Sequence, residues 1–176
     1  MRHLLQAIAV SSLLITPACS DGSVRAQQPD SKKQVVMAAK RSALALSGRV
    51  TDAAHVLSAE ETVRLTLQLQ EFERSTKHQM VVVTVPTLGG VEIAKFTRKL
   101  ANHWGIGRKG HNDGVVVLVA PTEQKIRIAV GYGLEGTLTK AVCQQVIVEK
   151  MLPHFRQNDF GGGIEAGIDA LIARLG

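Results

Sequence analysis

The sequence predicts an α/β fold: a three-layer α/β/α sandwich around a mixed sheet, with elements in the order α-β-α-β-β-α-α. Residues 80–85 and 115–119 are unbroken runs of Val, Met, Thr and Leu, as strands buried on both faces are. Between them Ile93, Thr97, Leu100, Ala101 and Trp104 recur at helical spacing, and a strand, helix and strand in this order predict a right-handed parallel crossover. Residues 125–130 then alternate, with Lys125, Arg127 and Ala129 on one face and aliphatics on the other. That pattern predicts an antiparallel, half-exposed strand joined through the turn at 121–124.

The helices follow from their ends. Ser58 and Glu61 form a capping box, and Leu65, Leu69 and Phe72 line one face of the helix that runs to about Thr76. Gly105 and Gly107 end the second helix. A third spans about Leu138 to Leu152 and stops at Pro153. The last, about Phe160 to Leu175, has Asp159 as its N-cap, with Ile164, Ile168, Leu171 and Leu175 on one stripe. Three glycines at its start, Gly161 to Gly163, predict either a close backbone approach or a mobile first turn.

The N-terminus addresses the chain to export. Met1, Arg2 and His3 precede an apolar run over residues 4–15, which is shorter than the roughly 20 residues a membrane-spanning helix needs and reads as a signal-peptide core. Residues 16–22 resemble a lipobox, with Ala18 before Cys19 and Thr16 where an aliphatic residue is usual. The expectation is a lipoprotein-type signal peptide over residues 1–18, lipidation of Cys19, a tether over 19–47 and one folded domain over 48–176. Such a protein sits on the periplasmic side of the envelope, anchored to the membrane. The rival is cleavage after Ala26, leaving a soluble periplasmic or secreted protein.

A net charge of +6 and 45% hydrophobic residues suit one globular core. The basic residues are dispersed and six aromatics are few for base stacking, which argues against nucleic acid; Lys32, Lys33, Lys40 and Arg41 in the tether fit weak attraction to an anionic membrane surface. Cys143 reads as a small buried apolar residue. No His spacing fits zinc, and no serine or cysteine stands in a nucleophile motif.

Three polar loops remain. Residues 131–136, Gly-Tyr-Gly-Leu-Glu-Gly, match the letters of a dinucleotide fingerprint, but the strand before them is a hairpin arm and no further parallel strand follows. What survives is a tight glycine turn carrying Glu135. Asn112-Asp113-Gly114 reads as a turn or as a source of oxygen ligands, and Asp52 as a local cap before the first helix.

Taken in order, Val50-Thr51-Asp52, residues 79–85, Trp104-Gly105-Ile106-Gly107, Asn112-Asp113-Gly114, residues 131–136, Pro153-His154-Phe155 and Asp159-Phe160 resemble the TPM domain. The resemblance implies an α/β/α sandwich on the outer side of a membrane, with relatives in bacterial envelopes and the thylakoid lumen. It implies Ca²⁺ binding by acidic loops, acid-phosphatase activity, and roles in assembly or upkeep of membrane protein complexes. Carried across, Asp52, Asp113 and Glu135, with Asp159 a fourth, are the candidates to hold metal. Arg108, Lys109 and Lys140 are the candidates for phosphate contact. Lys140 stands where the family has an Asp after Leu-Thr, which replaces an oxygen ligand with a positive charge. Two functions follow: a tethered binding or assembly module for an envelope protein complex, and a metal-dependent phosphomonoesterase. Both expect the acidic groups of the three loops to meet at one edge of the sheet.

Overall fold

The computed structural model describes residues 44–176. The leader, Cys19, the site after Ala26 and the tether up to residue 43 lie outside them. Four strands form one sheet in the order β1-β2-β3-β4: β1 (Val50–Asp52), β2 (Gln79–Thr84), β3 (Gly114–Ala120) and β4 (Lys125–Val130). The first three are parallel and β4 is antiparallel to β3. The helices are α1 (Ala59–Thr76), α2 (Ile93–Trp104), α3 (Lys140–Val146), α4 (Leu152–Phe155) and α5 (Phe160–Leu175).

Strand β1 departs from the expected order, which began with a helix. Three residues are too few to show a period, and Val50–Asp52 is a strand because Val50, Thr51 and Asp52 pair with Val82, Val83 and Thr84. The sheet is therefore mixed as expected, with one more parallel edge strand.

Alternation along the strands sorts the core into two layers. Met80, Val82, Val115, Val117, Val119 and Ile128 face α1, α3 and α5, whose Leu65, Leu69, Phe72, Val146, Ile164, Ile168 and Leu171 are buried there. Val81, Val83, Val116 and Leu118 face α2, where Leu100, Ala101 and Trp104 pack. The second layer reaches back into the expected tether: Trp104 Nε1 donates to the Leu44 carbonyl at 3.0 Å. A dozen and more aliphatic side chains fully removed from water, each contributing about 1.5–3 kcal/mol, make this burial the main term holding the sandwich.

The predicted caps are present. Glu61 N donates to Ser58 Oγ at 3.2 Å and Ser58 N to Glu61 Oε2 at 2.7 Å. Gly162 N donates to Asp159 Oδ1 at 2.9 Å. The glycines at the start of α5 reflect close packing, since a Cβ on Gly161 would meet the Glu61 carboxylate and one on Gly163 the Phe155 ring.

The expected third helix differs. Thr139 caps α3, which passes into a π-helical turn over Ile147–Met151 and then into α4, so that Pro153 lies inside the helical run rather than ending it. The physical reason is the wide turn. Leu152 N bonds to Ile147 O, five residues back, and this register shift comes just where a proline ring would otherwise press on the carbonyl four residues earlier.

Candidate functional site

Strand direction decides where each loop lies. Asp52 ends β1 beside Thr84 at the end of β2, whereas Asp113 immediately precedes β3 and its carbonyl accepts from Gln79 N at the start of β2. Five residue steps separate Gln79 from Thr84, roughly 16 Å of strand. The two aspartates therefore stand at opposite ends of the sheet and do not share a pocket. The expected meeting of all three acidic loops does not occur.

Each end gathers two of the four candidates. At the end where β2 stops, Asp52 holds the loop into α1, accepting from Val56 N at 3.2 Å, Leu57 N at 3.0 Å and Thr84 Oγ1. The capping pair Ser58 and Glu61 follows, and Glu61 lies against Gly161, next to Asp159. Asp159 is engaged too, by Gly162 N and by His154 Nδ1 at 2.7 Å; His154 and then the Gly162 amide hold its carboxyl below the usual range.

At the other end, loop 107–114 packs against loop 131–136. Gly131 N donates to Gly114 O at 2.8 Å, Gly133 N to Asn112 O at 3.0 Å, and a Cβ on Gly131 or Gly133 would collide with the Asn112 or His111 carbonyl oxygen. Asn112 takes the left-handed backbone its turn requires, with φ 51°. Asp113 is buried beneath. Arg108 N donates to Oδ1 at 2.8 Å, Arg108 Nε to Oδ2 at 2.7 Å, and His78 Nδ1 lies 3.2 Å from Oδ2. Burial alone would push this carboxyl up, but the Arg108 side chain and amide with His78 outweigh it and hold it well below the usual carboxylate range. Arg108, a candidate phosphate contact, is thus spent on Asp113, while Lys109 is exposed.

Glu135 and Lys140 are exposed and sit on a different feature. With Arg127, Ile128, Cys143 and Ile147 they line a groove of about 400 Å³ between β4 and α3. Burial pushes the Cys143 thiol up, against the opposing effect of Arg127, which disfavours the thiolate. Among the described residues no three His, Cys, Asp or Glu side chains lie together as a metal-binding group. The donor set the resemblance implies is split between two ends, and three of its four carboxylates already accept protein hydrogen bonds, which is a poor fit for a Ca²⁺ ion that takes six to eight oxygens.

Reading residues singly missed His78 and Thr84 as partners of Asp113 and Asp52. The signal for them was position, since His78 immediately precedes β2 and Thr84 ends it.

An α/β/α sandwich on a mixed sheet, with its polar loops split between the two sheet ends, is the class this architecture defines. A family model described as TPM domain matches residues 50–174. The chain belongs to the TPM domain family. The N-terminal domain of a protein from P. gingivalis, solved by solution NMR, is 33% identical, with 73% of this chain and 83% of that chain covered at a TM-score of 0.68. Two other NMR structures share the fold: the N-terminal domain of a Corynebacterium glutamicum protein, 17% identical with 75% and 82% covered and TM-score 0.58, and the BA42 protein from Bizionia argentinensis, 18% identical with 68% and 81% covered and TM-score 0.60. No curated protein matches.

Proposed function

We propose that the chain is an exported TPM-domain module that binds an envelope protein complex and serves its assembly or upkeep, held at the membrane through Cys19. The observation that carries this reading over a phosphatase is the employment of the carboxylates. Metal-dependent phosphomonoester hydrolysis needs carboxylates free to hold a cation and a base to position water. Asp52 and Asp159 instead fasten a loop and a helix start, and the buried Asp113 is taken up by Arg108. Anchoring rests on the leader, since no helix of the described residues is long and apolar enough to cross a membrane.

The test is a calcium titration followed by thermal unfolding, together with hydrolysis of p-nitrophenyl phosphate. A site filled at 100 times its Kd adds about 2.7 kcal/mol, several degrees in a domain of this size. The expected outcome is an unchanged midpoint and no turnover. A midpoint raised by Ca²⁺, with turnover that a variant carrying Asp52→Ala, Asp113→Ala and Glu135→Ala abolishes while folded, would replace this reading with the phosphatase.

A further inference from the structure

The sheet has one long open edge. Gly131 N donates to Gly114 O while Val85 N donates to Val119 O, so the even-numbered residues of β3 turn their backbone groups toward β4 and the odd-numbered ones toward β2. With Val116 opposite Ala129 and Leu118 opposite Arg127, the odd-numbered residues of β4 face β3. Ile126, Ile128 and Val130 therefore direct their N–H and C=O groups outward, and among the described residues nothing pairs with them. Unpaired strand edges are templates for another strand unless covered.

This edge is flanked rather than covered. The groove beside α3 and a second one of about 310 Å³ beside α4, lined by Leu152 and Phe155, share Ile126 and together follow the whole of β4. The strand offers about 20 Å of backbone, with an apolar wall supplied by the helical run. A strand edge alongside a helix is the arrangement in which extended peptides dock, backbone hydrogen bonds giving affinity and side-chain pockets giving choice.

Charge selects the occupant. Lys125, Arg127, Lys140 and Arg156 line the two grooves against the single carboxylate of Glu135. Arg127 Nε is buried without a hydrogen-bond partner among the described residues, although a buried donor left unmade is costly. A second copy of β4 would bring Lys125 and Arg127 against the same cations, which disfavours pairing. The chain's own residues before Leu44, with Lys32, Lys33, Lys40 and Arg41, match the groove no better.

We infer that the β4 edge and its flanking grooves receive an extended, acidic segment of a partner protein, which adds to the sheet as a fifth strand with a carboxylate on Arg127. The inference rests on the reading of the chain as a binding module and names the chemistry of what it binds.

The test selects ligands for the full chain from a display library of random decapeptides, then follows amide exchange with the synthetic winners bound. Acidic winners are expected, with new protection at Ile126, Ile128 and Val130. Methylating alternate peptide amides, or charge reversal by Arg127→Glu, weakens binding about tenfold or more. Lys140→Glu, at an exposed position, serves if Arg127→Glu does not fold. Winners without acidic excess, protection elsewhere, or no winners at all overturn the inference. So does protection of β4 that rises with protein concentration in the absence of peptide, which would identify a second copy. A ligand on another face leaves the module reading standing, whereas phosphatase turnover removes that reading whatever the peptides do.

Discussion

Arg108 grips Asp113 from both its backbone and its side chain, N–H to Oδ1 at 2.8 Å and Nε to Oδ2 at 2.7 Å, inside the loop 107–114 that closes one end of the sheet. The carboxylate is 4% exposed and its partner 41%. The pair therefore has one dry and one wet member, and what it holds in place is the approach to β3.

This pairing makes stability fall in acid. Because the folded carboxyl is held well below its ordinary value, the unfolded chain binds the proton first, near pH 4. The stabilisation is complete above that value and drains away as pH falls below it. Asp113→Asn is expected to cost about 2 kcal/mol at pH 7, since Arg108 and His78 lose a charged acceptor. Urea unfolding at pH 7 and pH 3 should show the gap between variant and parent closing in acid; a constant gap would locate the acid sensitivity in another group.

The two glycine turns give a graded test of backbone approach. A methyl group on Gly133 collides with the His111 carbonyl, whereas one on Gly136 meets nothing within 4 Å. Gly133→Ala is expected to destabilise by about 2 kcal/mol or more, and Gly136→Ala to stay within about 0.5 kcal/mol. Equal effects of the two in chemical unfolding would show that the loops 107–114 and 131–136 are not pressed together.

Most of the architecture is legible in the residues. Unbroken valines mark β2 and β3, alternation marks β4, and helical stripes mark α1, α2 and α5, because in each the buried face repeats at its element's own period. Strand β1 is not legible, since its three residues become a strand only through pairing with β2. That gap also hides the layout of the site. Asp52 ends a parallel strand and Asp113 precedes one, and in parallel strands those positions fall at opposite ends of the sheet. With β1 read as loop, nothing in the sequence holds the two aspartates apart. The π turn is equally silent in the sequence, where Pro153 reads as a stop.

Ser58 tests the entry to α1. Its hydroxyl and the Glu61 carboxylate satisfy each other's backbone amides. Ser58→Ala is expected to cost about 1 kcal/mol. Glu61 also lies against Gly161 at the start of α5. Adding Glu61→Gln to Ser58→Ala should therefore give more than the cap alone, read as a double-mutant cycle in thermal unfolding.

Asp52 decides whether the loop carboxylates are structural. It accepts two amides, from Val56 and Leu57, and the hydroxyl of Thr84, which is wholly buried and itself accepts from Ala54 N at 3.1 Å. Removing it strands these donors at the turn that carries the chain from β1 into α1. Each hydrogen bond of this kind contributes about 1 kcal/mol and more to a charged acceptor, so Asp52→Ala is expected to lose about 2–3 kcal/mol. Thr84→Val, which keeps shape and removes the shared hydroxyl, should lose somewhat less, and the two losses should not add, because they break one network. Additive losses, or none from Asp52→Ala, would mean that its carboxylate is not committed to the turn, and would return it to the groups available for a ligand.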